Sequence, residues 1–157
     1  MKIIILVVGK TTDAWVQTAI SLYESRIKHY LPFELAVIPA VKAAKNLTEE
    51  QVKEKEGQAI LSWIKPGDAM VLLDEKGVSL SSERFAERLQ KKMNAGVRNL
   101  VFVVGGPYGF SPAVYDAVPE RLSLSALTLT HQMVRVLFIE QVYRAMTILK
   151  GEPYHHP

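Results

Sequence analysis

Cysteine is missing from this chain of 157 residues, and histidine is scarce, with four residues. Without a thiol the protein can form neither a disulfide bond nor a zinc–cysteine site. The histidines include no HExxH pair, so we expect no metal. Long apolar runs are missing as well, since no stretch approaches the roughly 18 uncharged residues of a membrane span. We therefore expect a cytoplasmic protein that uses neither a metal nor a membrane.

The N-terminal stretch MKIIILVVGK resembles a secretion signal only at first sight. One lysine precedes six apolar residues, and Gly9 ends the run. A signal peptide needs a longer apolar region and a small-residue cleavage site, and neither follows here. We expect a buried parallel strand instead.

Composition and charge are ordinary for a globular protein. Apolar residues make up 48% and charged residues 22% of the chain, which excludes bulk disorder. The length favours one domain, residues 1–157. The formal net charge of +3 permits a polyanionic partner such as nucleic acid without requiring one.

Short apolar runs alternate with helical patterns along the whole chain. Strands are predicted at Lys2–Val8, Phe33–Pro39, Ala69–Asp74 and Leu100–Val104. Helices are predicted at Asp13–His29, Thr48–Ile64 and Ser81–Ala95, with a short one from Ser111-Pro112. This order predicts an α/β fold, a mostly parallel sheet flanked by helices on both faces.

The first predicted helix is amphipathic, and its stripe at i, i+3/i+4 spacing contains Trp15, Ala19, Leu22, Tyr23, Arg26 and Ile27. Thr48 and Gln51 have the spacing of a capping box for the second helix. The segment Ala40–Asn46, which includes Lys42 and Lys45, is predicted to be a loop. It is either a simple connector or a basic surface for a substrate.

The fourth predicted strand runs into the glycine-rich sequence GGPYG, residues 105–109. Ligands of open α/β sheets bind beyond the carboxyl ends of the strands. The sequence is neither G-x-G-x-x-G nor a P-loop, so it does not predict a dinucleotide or ATP. Its glycines indicate that the backbone passes close to something, either a ligand or the next helix in a tight turn.

The stretch LSLSALTLTHQMVRV, residues 122–136, allows two interpretations. Alternating Leu with Ser or Thr is typical of a strand with one face in water, but Ala126 breaks the alternation. A segment that bulges at Ala126 would offer backbone N–H and C=O groups between leucine side chains. Those groups are what an adenine ring requires. Periodicity leaves both interpretations open.

The final helical pattern, His131 to Lys150, is apolar over most of its circumference. Such a helix is buried on several sides. One side against its own sheet and another against a second copy is the economical arrangement, so we predict a homodimer.

The polar residues of this last helix form two clusters, one of His131, Gln132 and Arg135, the other of Glu140, Arg144 and Thr147. Glu140 and Arg144 have the favourable i, i+4 order. They form either an intrahelical salt bridge or an RNA contact in which Glu140 orients Arg144.

Six motifs together carry a family resemblance: KIIILVVGK, KEKEGQAIL, VLLDEKG, VFVVGGPYGF, LSLSALTLTHQMVRVLFIEQVYRA and GEPYHH. With them the sequence resembles the RlmH family of SPOUT methyltransferases over nearly its whole length. The resemblance implies a SPOUT-type fold with a C-terminal trefoil knot, an exception to the rule against threaded chains. It also implies a homodimer that methylates N3 of a pseudouridine in 23S rRNA of the assembled ribosome. The implied methyl donor is S-adenosylmethionine.

The resemblance also implies site residues. The cofactor residues carried over by motif are Leu73, Gly105, Leu124, Ser125, Ala126, Leu127, Thr128 and Leu129. They make the segment after residue 122 a loop that cradles the cofactor, which favours the bulged interpretation.

The expected catalytic residues are Tyr154, His155, Arg144 and Glu140. Methyl transfer requires aligned reactants and loss of the N3 proton. Tyr154 is expected to position the target base, His155 to accept a proton or contact phosphate, and Arg144 to anchor RNA. The tail, the C-terminal residues that follow Gly151-Glu152-Pro153, is predicted to fold over the partner's cofactor pocket. The alternative interpretation is that these residues are a frayed end.

Further basic residues are candidates for contact with rRNA, namely Arg84, Arg88, Lys91, Lys92, Lys42 and Lys45. A solvated helix face explains the first four equally well, because Glu83 and Glu87 lie among them. Three other functions remain open: methylation of another RNA such as tRNA, non-catalytic ribosome binding, and a flavodoxin-like nucleotide module, which the missing phosphate loop disfavours.

Overall fold

The structure, a computed structural model, describes residues 1–41 and 46–157. Lys42 and Lys45 of the predicted basic loop lie outside the described residues. The elements in chain order are β1 (Lys2–Val8), α1 (Ala14–Ile27), β2 (Phe33–Ile38), α2 (Glu49–Leu61), β3 (Ala69–Ser79), α3 (Ser82–Asn94), β4 (Asn99–Val104), α4 (Pro112–Ala117), β5 (Arg121–Ser123) and α5 (His131–Leu149).

The five strands form one parallel sheet in the order β2-β1-β4-β3-β5. The predicted α/β class is confirmed, and all four predicted strands are present, although β3 continues past its predicted end at Asp74 to Ser79. The fifth strand covers only the start of the segment that the plain-strand interpretation would place in a strand. The trefoil knot stays a prediction.

The sheet has a helical layer on each face, and each layer encloses its own apolar core. Odd-numbered residues of β1, such as Ile3 and Ile5, pack with α1, α3 and α5. Even-numbered ones, such as Ile4 and Leu6, pack with α2 and α4. Both faces of the central strands are covered, which explains why their sequences are almost purely aliphatic.

Capping residues set the starts of several helices. Thr48 and Gln51 form the predicted capping box of α2. The Ser81 side chain accepts a hydrogen bond from the Arg84 backbone at the start of α3. Thr130 caps α5 by accepting from the Met133 backbone at 3.1 Å. Each side chain satisfies a backbone N–H that the first turn of a helix leaves free.

The predicted stripe of α1 is wrong at Trp15 and Leu22. The residues that face the sheet are Val16, Ile20 and Ile27, whereas Trp15 is 54% and Leu22 47% exposed. The buried face of α1 is therefore offset from the predicted stripe, with which it shares Ile27.

The start of α5 is tied to the carboxyl end of β1. Arg135 is buried, and its guanidinium donates to the Val8 carbonyl at 3.0 Å and to Thr11 Oγ1 at 2.9 Å. Burial lowers the pKa of Arg135. Arg135, which the sequence placed in a polar cluster with His131 and Gln132, thus anchors α5 inside the molecule. Across the two described ranges, no helix has the length and apolar character that a bilayer crossing needs.

Candidate functional site

A cavity of about 420 Å³ lies at the carboxyl end of β4 and beside residues 73–76 of β3, where the pairing of β3 with β4 ends. Its other walls are the glycine turn of residues 105–109, the segment after β5 and the first turn of α5. Seven of the eight predicted cofactor residues line it, namely Leu73, Gly105, Leu124, Ser125, Leu127, Thr128 and Leu129. Ala126 lies between them in the chain but does not line the cavity.

The glycine turn has the tight geometry that the sequence indicated. A Cβ on Gly105 would lie 3.2 Å from the Phe110 ring, and a Cβ on Gly106 would collide with the Glu56 carboxyl group. Gly109 has φ +79° and donates to the Gly106 carbonyl at 3.1 Å. The tight-turn interpretation of the glycines is therefore confirmed, because the backbone passes close to Phe110 and Glu56. The approach of this turn to a ligand stays a prediction.

The segment after β5 is irregular. Regular pairing ends at Ser123, so the plain-strand alternative is wrong beyond that residue. Ser123 Oγ donates to the Ser125 carbonyl at 3.3 Å, and Ser125 Oγ accepts from the Leu127 N–H at 2.9 Å. Small hydroxyl side chains compete in this way with strand hydrogen bonds.

Leu127 is unusually exposed for a leucine, at 76%. It lies on the cavity wall with Leu124 and Leu129. An apolar side chain left in water beside a cavity is what a ligand with an aromatic ring would cover.

A polar cluster that the sequence did not predict lies at the other side of the cavity. Tyr115 Oη donates to Asp74 Oδ2 at 2.5 Å, and the Lys76 N–H donates to Asp74 Oδ1 at 2.9 Å. The Arg121 guanidinium lies 4.4 Å from the centre of the Tyr115 ring. Burial, with the Asp74 hydrogen bond as the second cause, raises the pKa of Tyr115 to about 12. The motif VLLDEKG contains Asp74, but its partner Tyr115 lies 41 residues later in the chain. The sequence therefore did not indicate the pair.

The four predicted catalytic residues form a second cluster on α5 and the tail. Arg144 forms the predicted salt bridge with Glu140 at 2.6 Å. Tyr154 Oη donates to the same Glu140 oxygen at 3.0 Å, and Arg144 Nη1 lies 3.2 Å from His155 Nδ1. The frayed-end alternative for the tail is therefore wrong.

Glu83 of α3 completes this cluster and was not predicted in it. Its Oε1 lies 2.7 Å from His155 Nε2, and the hydrogen bond with His155 lowers the pKa of Glu83 to about 2. Because Arg144 can only donate, it donates to His155 Nδ1, and Nε2 carries the proton toward Glu83. Nothing in the sequence indicated the contact between Glu83 and His155, because 72 residues separate the two partners.

The electrostatics of the cluster keep Tyr154 protonated. Burial first, and the hydrogen bond to Glu140 second, raise the pKa of Tyr154 far above its ordinary value. The hydrogen bond with Glu140 also raises the pKa of Arg144. The cluster thus presents a neutral phenol beside a permanent cation.

The cavity and the tail cluster lie at different ends of α5. Val134 lines the cavity, whereas Arg144 follows ten residues later, roughly 15 Å along the helix axis. A single chain therefore does not bring its predicted cofactor and catalytic residues together.

The predicted basic face of α3 is partly neutralised. Lys92 lies 2.6 Å and Arg88 lies 3.8 Å from the Glu120 carboxylate. Arg84 and Lys91 are exposed beside a shallow groove. Both the solvated-face and the RNA-contact interpretations of these residues remain predictions.

Residues 1–155 match the family described as "Predicted SPOUT methyltransferase". The chain is 57% identical over 156 residues to the ribosomal RNA large subunit methyltransferase H of Parabacteroides distasonis. It is 55% identical to the protein of that name from Porphyromonas gingivalis and 53% identical to the one from Flavobacterium johnsoniae. Each match covers 99% of both chains. The resemblance drawn from the motifs is confirmed, and the chain belongs to the SPOUT methyltransferase family.

Proposed function

We propose that this protein methylates N3 of a pseudouridine in 23S rRNA of the assembled ribosome, with S-adenosylmethionine as the methyl donor. The observation that carries the proposal is the cavity where the pairing of β3 with β4 ends, walled by the irregular segment after β5. The large-subunit rRNA named in its relatives supports the class of substrate.

The residues of the cavity fit this donor. S-adenosylmethionine, when bound, supplies a methyl group on a sulfonium. A volume of about 420 Å³ lies within the roughly 300–1,000 Å³ of small-ligand sites. Leu73, Gly105 and residues 124–129 would hold the donor, with leucine side chains against the adenine and main-chain groups toward its polar edge. Ala126 contributes through its main chain in this proposal.

A homodimer completes the site in this proposal. The tail of one subunit lies over the cavity of the other, which removes the separation of roughly 15 Å along α5 within one chain. Exposed apolar residues on the same helical layer support an interface: Trp15 and Leu22 on α1, and Leu137 on α5. Apolar surface of this kind on a small domain is typical of protein–protein contacts.

The tail cluster has a role in handling the target base. The N3 proton of pseudouridine has to leave as the methyl group is transferred. Tyr154, a neutral phenol, stacks on or positions the base, and does not act as the base that takes the proton. Arg144, oriented by Glu140, binds RNA phosphate or stabilises charge on the base. His155 accepts the proton or contacts phosphate once its Arg144 contact is released.

The remaining architecture follows the family in our proposal. Residues 1–157 form a single methyltransferase domain, and the segment after β5 is threaded as a trefoil knot. Such threading holds an irregular loop in one shape without regular hydrogen bonding.

Isotope-labelled S-adenosylmethionine tests the activity directly. We expect the label to enter one nucleotide of 23S rRNA when the protein is incubated with ribosomes, and none when it is incubated with tRNA. Mapping the labelled nucleotide identifies the methylated atom. Labelling of tRNA would favour the other-RNA function, and absence of donor binding in calorimetry would favour a non-catalytic ribosome-binding protein.

Deletion of residues 153–157 tests the tail. We expect donor binding to persist and turnover on ribosomes to fall by at least roughly a hundredfold, as for the loss of groups that position reactants. Unchanged turnover with the donor still bound would reject the role of the tail.

A further inference from the structure

We propose that Asp74, held in place by Tyr115, binds the two vicinal hydroxyl groups of the nucleoside ribose in the cavity. The inference rests on the proposed function, because it concerns an adenosine-containing donor. It adds a residue that recognises the sugar to the leucines and main-chain groups proposed to hold the adenine.

The position of Asp74 in the sheet points to the ribose. Leu73 of β3 stands in register with Val104 of β4, so Asp74 and Gly105 follow side by side, roughly 5 Å apart. An acidic residue on the strand next to a glycine turn is well suited to a nucleoside, since the turn admits the ligand and the carboxylate accepts from ribose hydroxyls. Both residues line the cavity.

The hydrogen bonding of Asp74 leaves capacity for two donors. Each of its oxygens receives one hydrogen bond, Oδ1 from the Lys76 N–H and Oδ2 from Tyr115 Oη. A carboxylate oxygen has two lone pairs, so one acceptor site remains on each. Two adjacent acceptor sites match the two hydroxyl donors of a ribose diol.

Tyr115 acts as the positioning residue. Its ring packs edge-on against Phe110, with centroids 5.7 Å apart, and beneath the Arg121 guanidinium. Burial raises the pKa of Tyr115 to about 12, so the phenol is protonated at neutral pH and donates to Asp74. The carboxylate is therefore held in one orientation before the ligand arrives, which reduces the entropy lost on binding.

The methionine end of the donor carries an ammonium group, a cation that is an alternative partner for the Asp74 carboxylate. The two contacts differ in what the ligand must contain. 5′-Methylthioadenosine carries the ribose diol without the amino acid, and the 2′,3′-dideoxy form of S-adenosylhomocysteine carries the amino acid without the diol.

Calorimetry with these compounds tests the inference. For Asp74→Ala we expect the affinity for S-adenosylhomocysteine to fall roughly tenfold to a hundredfold, as for loss of hydrogen bonds to a charged group. The affinity for 5′-methylthioadenosine should fall by the same factor, and that for the dideoxy compound should change little. Tyr115→Phe should lower the affinity for the first two compounds by a smaller factor, because the carboxylate remains but is less well oriented.

Two variants serve as controls. Glu75→Gln removes the neighbouring charge on the same cavity wall and should leave all three affinities unchanged. Asp74→Asn keeps the side-chain shape, so it covers the case in which the alanine variant does not fold.

Three results would overturn the inference. If Asp74→Ala loses equal affinity for the compounds with and without the diol, Asp74 does not contact the ribose. A loss for S-adenosylhomocysteine without one for 5′-methylthioadenosine means that Asp74 binds the ammonium group. Failure of the unmodified protein to bind any of the three contradicts the proposed function itself and removes the ribose site with it.

Discussion

Glu56 is a buried acid directly beneath the glycine turn. Its side chain is 4% exposed, and no hydrogen bond to its Oε2 comes from the described residues. Burial raises the pKa of Glu56 above its ordinary value of 4.5. A Cβ on Gly106 would collide with this carboxyl group. Any residue with a side chain at position 106 would therefore displace Glu56.

The protonation of Glu56 makes folding stability depend on pH. The folded form binds the proton more tightly than the unfolded form, so the stabilisation is fully present below pH 4.5 and is lost as the pH rises through the folded pKa. We expect Glu56→Gln, which stays neutral, to gain stability relative to the unmodified protein as the pH rises from about 4.5 through neutral.

Thermal unfolding across that pH range measures the effect. Glu54→Gln, an exposed change on the same helix, serves as the control and should show no such trend. A stability difference that does not vary with pH would contradict the raised pKa of Glu56.

At the scale of elements, the tail is attached to α3 and α5 through side chains. His155 contacts Glu83 and Arg144, and Tyr154 contacts Glu140. Tyr154 also packs edge-on against Tyr143 of α5, with ring centroids 4.7 Å apart. Glu152 also donates its backbone N–H to the Thr147 carbonyl at 3.0 Å, which joins the start of the tail to the last turn of α5.

The contact between Glu83 and His155 makes tail attachment sensitive to acid. The pKa of Glu83 is lowered to about 2 in the folded protein, so its stabilisation is present above the ordinary value of 4.5 and is lost as the pH falls toward about 2. We expect Glu83→Gln to loosen the tail at neutral pH, as acid does in the unmodified protein.

Hydrogen–deuterium exchange of residues 152–157 measures this loosening. Glu87→Gln on the same helix should leave the exchange of the tail unchanged. Equal protection of the tail in Glu83→Gln and the unmodified protein would show that the other contacts are sufficient.

At the scale of the whole molecule, apolar surface remains outside both cores. Leu137 of α5 is 41% exposed on the layer that also carries the exposed Trp15 and Leu22. Ile64, after α2, has a matching exposure of 42% on the other side of the sheet. Substitutions at these two positions therefore distinguish an effect on the proposed dimer interface from a general effect of removing exposed apolar surface.

We expect Leu137→Glu to convert the dimer into a monomer, because an unpaired charge buried in an apolar interface costs several kcal/mol. Sedimentation equilibrium measures the state of association. Ile64→Glu should remain dimeric. A dimer that survives Leu137→Glu would move the interface elsewhere, and a monomeric unmodified protein would exclude it.

Much of the fold was predictable because it depends on local patterns. The aliphatic run of β1 and the capping box at Thr48 involve residues close together in the chain, and each pattern has few alternative structures. Motif resemblance added the cofactor residues, seven of which line one cavity.

The remaining features depend on contacts between distant residues. Which face of α1 is buried, which donor orients Asp74 and which acid holds His155 involve partners that come together only when the sheet and helices pack. Hydrophobic periodicity gives the direction of a side chain relative to its own helix or strand, whereas a hydrogen-bond partner is chosen by geometry between elements. The strands and helices of this protein were therefore readable from its amino acids, while the polar contacts of its cavity and tail arose from tertiary packing.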